Sequence, residues 1–360
     1  MKEQPLSGNS TIFDAIQAIE SSVRRFTVVV GEDFKLLGSL SDGDIRRHLI
    51  SGGKLDDLAQ KAMNKRPVTV PQHLNLAEIA KFMELKNVVV VPVVNDNGTY
   101  LDMIHTIDLY PESESSLEAL ETFAFAVIMA GGEGRRLRPL TNGIPKPMIT
   151  IGDLPLLEHQ IRRLAELGIS KVYISINYLG EIIEDFFKDG KTFGIQIEYL
   201  KENEKKGTAG SLTLLGDLPD RPILLINGDI YTTTNFNELY EYHKHSSSVI
   251  TIGAIDFRID IPFGVIDTRD EVVAGITEKP SQRFLCNAGV YALSPSALSL
   301  IPENFPFNMP ELIQTSLDAG LAIGAFPIYE YWADIGTPED LEKVRKKYSE
   351  MNINKKGGSA

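Results

Sequence analysis

The sequence predicts an α/β fold built on a mixed, mainly parallel central sheet, preceded by a smaller α+β module. Three observations point there. From Phe123 onward, short apolar runs alternate with amphipathic stretches of helical period. Before Tyr110 the pattern repeats itself at a constant offset of 64 residues. Between the two lies a polar, acidic, serine-rich stretch, Tyr110–Glu121 (YPESESSLEALE), that belongs to neither pattern. The expected domains are therefore 1–115 and 123–350.

Composition bounds the function. A chain of 360 residues, 43% of them hydrophobic, is long enough to bury a core in each of two domains. The formal net charge of -13 argues against a general nucleic-acid binder or an anionic-membrane binder, both of which need a basic surface. Any phosphate site must then be local. The lone cysteine, Cys286, excludes an intrachain disulfide and points to a reducing cytoplasm. The polar start MKEQPLSGNSTIFDAI does not read as a signal peptide, and apolar runs such as Val88–Val94 are too short to span a bilayer. A soluble, cytoplasmic protein is expected. Lys355–Ala360 read as a disordered end outside the fold.

Each half of the first module reads as a helix, a strand and a turn into another helix. The offset places Asp14 (TIFDAI) on Glu78 (NLAEIA), Phe26–Val30 beside Val90–Val94, and Asp44 (SDGDI) on Asp108 (HTIDL). With its stretch Gly38-Ser-Leu-Ser41-Asp-Gly-Asp44-Ile-Arg46, this duplication resembles the tandem cystathionine-β-synthase (CBS) domain pair, matching G-x-x-[ST]-x-x-D. The resemblance implies an adenine nucleotide as ligand, with Ser41 and Asp44 hydrogen-bonding its ribose, and a homo-oligomer formed through the module. The second half departs from the pattern at Asp102, where glycine is usual, and at His105, where a hydroxyl residue is usual. One occupied site is expected. The other reading is a module that only packs against the enzyme or mediates dimerisation.

The second segment reads in order as strand Phe125–Met129, helix Leu156–Leu167, strand Lys171–Ile176, helix Glu181–Lys188, strand Ile195–Leu200 and buried strand Pro222–Ile226. Ligands of such sheets gather at the carboxyl ends of strands, so the loops after Met129 and Ile226 should face one crevice. The first loop, Ala130–Thr141, holds Gly131, Gly132 and Gly134 beside Arg135, Arg136 and Arg138, and Lys146 follows in Pro145-Lys146-Pro147-Met148. Three glycines let backbone N–H groups turn toward an anion, and the cations suit phosphate oxygens. The loop is not a Walker A motif, because no G-K-[ST] closes it, and it lacks the G-x-G-x-x-G spacing of dinucleotide binding. Asp153 lies about 20 residues on, as a dinucleotide site would need, but it precedes a helix instead of ending a strand. The second loop, Asn227-Gly228-Asp229-Ile230, puts a carboxylate directly after an apolar strand, which suits a metal. The second acidic candidate, Asp334, precedes a helix start marked by Thr337 and Pro338. Two carboxylates plus substrate phosphates suffice for Mg²⁺.

The signature G-G-x-G-x-R-L-x-P-L-T followed by P-K-P is matched at every position, from Gly131 to Pro147. Further landmarks follow in order: Gly207-Thr208-Ala209-Gly210, Asn227-Gly228-Asp229, Phe263-Gly264-Val265-Ile266, Glu278-Lys279-Pro280, Asn287-Ala288-Gly289-Val290-Tyr291 and Trp332-Ala333-Asp334. The segment thus resembles the NDP-sugar pyrophosphorylases, sugar-1-phosphate nucleotidyltransferases with a Rossmann-like, GT-A-like sheet. The resemblance implies that Gly131, Gly132 and Arg136 hold the triphosphate, that Lys146 contacts phosphate near the reacting centre, that Gly207 and Thr208 face base and ribose, and that Ala130, Gly134 and Gly228 also belong to the nucleotide site. It implies Asp229 and Asp334 as Mg²⁺ ligands, Lys279 on the sugar phosphate, and Gly264, Glu278 and Asn287 on the sugar. The substrates would be a nucleoside triphosphate and a sugar 1-phosphate. The G-T-A-G stretch and the P-L-T…P-K-P loop resemble the mannose-1-phosphate guanylyltransferase branch, and a CBS pair fused in front of such a domain resembles guanylyltransferases acting on glucosamine 1-phosphate for nonulosonic (legionaminic) acid synthesis. Lys205-Lys206 stands where the mannose-1-phosphate branch usually has proline and leucine. Mannose-1-phosphate guanylyl transfer and uridylyl or thymidylyl transfer to glucose 1-phosphate are the alternatives. The reading outside enzymes is an NDP-sugar-sensing regulator.

Overall fold

The computed structural model describes residues 4–22, 25–86, 88–109, 121–303 and 306–357, so most of the acidic stretch Tyr110–Glu121 lies outside the described residues. The chain forms two compact units, Met1–Glu121 and Thr122–Ala360.

In the first unit, β1 (Leu6–Ser7), α1 (Ile12–Ser21), β2 (Phe26–Val30), β3 (Leu36–Ser41) and α2 (Asp42–Ile50) are followed by β4 (Val70–Pro71), α3 (Leu76–Lys86), β5 (Val90–Val94), β6 (Tyr100–His105) and α4 (Thr106–Leu109). Each half makes a three-stranded sheet with one parallel and one antiparallel ladder, β1-β2-β3 and β4-β5-β6. The 64-residue offset reproduces even the register irregularity, between Val29 and Val30 in one half and between Val93 and Val94 in the other. It also explains why Asp14 aligns with Glu78. Both close a helix N-terminus reciprocally: Asp14 N–H donates to Thr11 Oγ1 at 3.2 Å while Thr11 N–H donates to Asp14 at 2.7 Å. Glu78 and Asn75 do the same at 3.0 and 2.9 Å. An acid three residues into the helix is what this cap requires.

The second unit contains β7 (Ala126–Met129), β8 (Thr150–Ile151), β9 (Leu154–Pro155), α5 (Leu156–Glu166), β10 (Lys171–Ile176), α6 (Gly180–Phe187), β11 (Gln196–Lys201), α7 (Gly207–Gly210), β12 (Ile223–Asn227), β13 (Ile230–Thr232) and α8 (Phe236–His245). It continues with β14 (Ile250–Asp260), β15 (Val265–Arg269), β16 (Val272–Thr277), β17 (Ser281–Leu293), α9 (Pro295–Leu298), α10 (Met309–Asp318), β18 (Ile323–Ile328), β19 (Trp332–Asp334) and α11 (Pro338–Gly357). The expected strands and helices each fall within a residue or so of these bounds. The tail departs from expectation, because α11 continues through Lys355 to Gly357; residues 358–360 lie outside the described residues.

Seven strands in the order β11-β10-β7-β12-β17-β14-β18 make the central sheet, with β17 antiparallel to both neighbours and the other ladders parallel. Alternate side chains feed two cores, as a pleated strand dictates. Ala126 and Ile128 of β7 join Leu157, Ile161 and Leu164 of α5 and Phe236 of α8 on one face. Val127 joins Leu225, Leu298, Met309 and Leu312 on the other. Beyond Ile255 and Cys286, β14 and β17 continue as a paired arm whose Phe257, Ile259, Phe284 and Leu285 are exposed, and the hairpin β15–β16 extends it.

One buried polar group gives this unit an acid limit. His243 of α8 is 3% exposed, with Nδ1 2.8 Å from Thr251 Oγ1 and Nε2 2.9 Å from Ser294 Oγ. Burial pulls its pKa from 6.5 down to about 4. The folded state therefore prefers the neutral ring. The stabilisation is complete above the unfolded pKa of 6.5 and is lost as pH falls toward the folded value of about 4. The thermal midpoint should decline on acidification across that window, and His243→Gln should flatten the decline. An unchanged slope in that variant would remove His243 as its cause.

Candidate active site

β7 and β12 are parallel neighbours, with Asn227 opposite Met129, so their following loops leave the sheet side by side. Gly228 N–H donates to Met129 O at 2.9 Å, and a Cβ on Gly228 would stand 2.6 Å from that carbonyl. Only glycine lets the two backbones touch. A cleft of about 310 Å³ opens at this crossing, lined among others by Ala130, Gly131, Gly132, Lys146, Gly207, Thr208, Gly228 and Asp229. The amides of Gly131 and Gly132 make no hydrogen bond within the protein among the described residues, which leaves them free for an anion.

The charged groups are held by tertiary structure. Lys146, 9% exposed, places Nζ 2.6 Å from Asp229 Oδ2. Asp334 arrives on β19, which pairs antiparallel with β13 so that Asp334 lies opposite Ile230, and Ile335 N–H donates to Asp229 O at 3.0 Å. The two aspartates are thus neighbours in one backbone crossing. Burial and then the charge of Asp229 raise the Asp334 pKa, against the pull of Lys146 and Arg136. The Arg136 guanidinium lies within 4 Å of where a Cβ on Gly336 would stand, two residues beyond Asp334. The helix after this strand begins as expected, with Asp340 N–H donating to Thr337 Oγ1 at 3.3 Å and Thr337 Oγ1 donating back at 2.7 Å.

The Gly207–Gly210 turn is fixed from α10. Gly207 has φ +82°, and a Cβ there would meet Phe307 O at 2.6 Å, while Met309 N–H donates to Thr208 Oγ1 at 2.9 Å. Three further residues of the cleft escaped the sequence reading, Glu133, Asn177 and Glu202, and Lys205, noted there only as a departure from a motif, lines it too. Glu202 follows β11 directly, the same strand-end signal that marked Asp229, but it sits in the charged run KENEKK and reads as solvated surface. Its carboxylate accepts from Ser175 Oγ and from Lys206 N–H, the latter at 2.9 Å. Lys205 reaches across the cleft mouth to Glu133 at 2.6 Å, where Arg135 also binds at 2.7 Å. Arg135 first and Lys205 second hold the Glu133 pKa down to about 2.

The expected sugar-side residues do not line this cleft. Gly264 and Glu278 are adjacent to each other, since a Cβ on Gly264 would lie 2.9 Å from Glu278 Oε2. Lys279 is exposed with φ +45°, at the return into β17. Asn287 spends its amide locally, with Nδ2 donating to Tyr291 OH at 2.8 Å and Oδ1 accepting from Gly289 N–H at 2.9 Å. Gly134 and Arg136 belong to the glycine-rich loop but stand outside the cleft lining. In the first unit, Ser41 and Asp44 form the reciprocal cap of α2, with Ser41 Oγ 2.7 Å from the Asp44 carboxylate, and Arg47 also pairs with Asp44. Gly38 packs against the loop at Met63 and Asn64, whereas its counterpart Asp102 is exposed.

A mainly parallel sheet whose strand ends carry a glycine-rich, cation-flanked loop and an aspartate, with a second aspartate brought beside it by a separate two-stranded ladder, defines a phosphate-handling α/β protein. The chain belongs to the nucleotidyl transferase family, whose sequence profile matches residues 125–351, and CBS domain profiles match 5–51 and 56–114. It is 34% identical over 226 residues to a mannose-1-phosphate guanylyltransferase of Mycobacterium tuberculosis, covering 60% of this chain and 62% of that protein. A mannose-1-phosphate guanyltransferase of Yarrowia lipolytica is 34% identical over 224 residues, covering 60% and 61%. The chain thus spans somewhat less than two thirds of the length of these relatives. Among solved structures, one from Bacillus anthracis, assigned as a glucose-1-phosphate thymidylyltransferase and crystallised with sucrose, superposes with a TM-score of 0.50 at 22% identity, over 62% of this chain and 94% of that one. That likeness concerns the fold. Among the described residues no helix is long and apolar enough to cross a membrane.

Proposed function

We propose that this chain is a sugar-1-phosphate nucleotidyltransferase that uses GTP, with glucosamine 1-phosphate as the acceptor. The observation that carries the reaction class is the crossing where Gly228 touches Met129, which unites an anion-binding loop, Lys146 and Asp229 in one cleft. Glu202 supports guanine. Its carboxylate lines the same cleft, and guanine offers N1–H and N2–H donors side by side, whereas uracil and thymine offer one N–H between two carbonyls. Mannose 1-phosphate is the second reading for the acceptor, favoured by the names of the relatives.

The donor set fits a divalent cation. Asp229 and Asp334 press on each other electrostatically, and the described residues hold no cluster of three or more His, Cys, Asp or Glu ligands, so the protein would supply two carboxylates and the substrate the rest. Asp229 and Asp334 would hold Mg²⁺. When bound, the ion supplies neutralisation of the charge on the α-phosphoryl group and the departing pyrophosphate. The sugar phosphate is already an anion, so its oxygen forms the new bond to the α-phosphorus while the bond to the bridging oxygen of pyrophosphate breaks, and no protein nucleophile or base is required. Gly131, Gly132 and Arg136 bind the triphosphate, Lys146 stands at the reacting centre, and Gly207 and Thr208 face the nucleoside. Lys279 takes the sugar phosphate, with Gly264, Glu278 and Asn287 on the sugar. The task of these residues is alignment of two mutually repelling phosphates.

The test is pyrophosphate release from GTP, UTP, dTTP, CTP and ATP against mannose, glucose, glucosamine and N-acetylglucosamine 1-phosphates, with and without Mg²⁺. Release confined to GTP is expected, and Glu202→Gln should lower kcat/KM for GTP about 10- to 100-fold. Silence across the panel from folded protein would overturn the reading. At the CBS pair we propose one adenine nucleotide at Ser41 and Asp44; AMP or ATP added to the same assay should change the rate, and a pure scaffold would leave it constant.

A further inference from the structure

α5 turns the face carrying Leu156, Leu157, Ile161 and Leu164 into the core, and the residue completing that stripe is polar: Gln160, 7% exposed. Its side-chain amide reaches across to the second loop of the cleft. Nε2 donates to Asn227 O at 3.0 Å and to Ile230 O at 2.7 Å. An amide nitrogen has two protons, and both are used. These carbonyls bracket Gly228 and Asp229, so one side chain pins the two ends of the turn that carries the carboxylate. The amide orientation is fixed by this arrangement, because turning it would face Oε1 against two carbonyl oxygens. The consequence is that Oε1 is buried without a hydrogen-bond partner. A leucine would complete the apolar stripe of α5 without stranding an acceptor, so the position serves the loop more than the helix.

We infer that Gln160 is a positioning residue for the metal-binding carboxylates, acting through the Asn227–Ile230 turn. The reach extends to both aspartates, since the same turn receives the Ile335 N–H at Asp229 O and pairs Ile230 with Asp334. One turn further along α5, Arg163 makes comparable contacts, from Nη2 to Thr233 O at 3.1 Å and to Thr234 O at 3.4 Å, but beyond the carboxylates. This gives an internal control for simple docking of the helix. The inference rests on the proposed metal role of Asp229.

The experiment is a Mn²⁺ titration followed by electron paramagnetic resonance, in the presence of GTP and without sugar phosphate, together with the Mg²⁺ concentration for half-maximal turnover. Gln160→Met keeps the volume and removes both donors; Gln160→Leu removes them too and completes the apolar stripe of the helix, so it serves if the first variant does not fold. Mn²⁺ affinity should fall about tenfold in Gln160→Met and in Gln160→Leu, and by under twofold in Arg163→Met. Half-saturating Mg²⁺ should rise in the same order. Folded Gln160 variants with Mn²⁺ affinity within twofold of the parent, or no weaker than Arg163→Met, would overturn the inference. Asp229→Asn in the same titration separates the layers: if it too leaves Mn²⁺ affinity unchanged, the metal assignment falls and the inference with it.

Discussion

Asp229→Asn should lower turnover by about 10²- to 10³-fold or more while the protein remains folded. The substitution is isosteric, so the backbone contacts that place the loop, Gly228 N–H to Met129 O and Ile335 N–H to Asp229 O, can persist. The negative charge is what disappears. Lys146 then faces a neutral amide in a site where it is 9% exposed, and Asp334 loses the neighbour that raises its pKa. Steady-state pyrophosphate release at limiting and saturating Mg²⁺, with a melting curve for each protein, separates chemistry from stability. Near-normal turnover at limiting Mg²⁺ would sink the assignment of this carboxylate to the metal.

The second large effect is expected at Lys146. Lys146→Met retains the stem that packs within the loop and removes the ammonium 2.6 Å from Asp229. A surface ion pair is worth little, but this one is mostly buried and its loss leaves a carboxylate without its counter-charge beside a second carboxylate. In the proposed reaction the phosphates also lose a cation at the point where their repulsion is greatest. We expect kcat to fall about 10²- to 10³-fold, with nucleotide affinity falling less than tenfold because the Gly131–Gly132 amides and Arg136 are untouched. A loss of affinity with kcat unchanged would instead mark Lys146 as a ground-state anchor for the triphosphate.

Much of the architecture was legible in the chain because burial imposes period. The runs at Val172, Ile174 and Ile176, or Ile223 to Ile226, are strands between two cores and can be little else. Asp229 was legible for the complementary reason, a charge where the buried strand stops. Gln160 was not, since a glutamine on an apolar stripe carries no sign of which carbonyls it will meet. Lys205 read as a departure from a motif, and only the folded chain shows it bridging to Glu133, remote in sequence. The residues proposed for the sugar were named by resemblance alone; they belong to the segment 264–287 around an exposed two-stranded arm, where packing leaves little periodic trace.

The pairing of β13 with β19 has a consequence for how the protein becomes active. Asp229 is synthesised with the middle of the sheet, but Asp334 follows every strand of that sheet in the chain, and the ladder that joins them spans a long sequence separation. Contacts of this kind form late, because loop closure must precede them. A nascent chain that has assembled the parallel core would already possess the glycine-rich loop and Lys146 yet lack half of its acidic pair. With Asp334 in the metal role proposed for it, nucleotide-transfer competence would therefore come only with the closing of this late ladder.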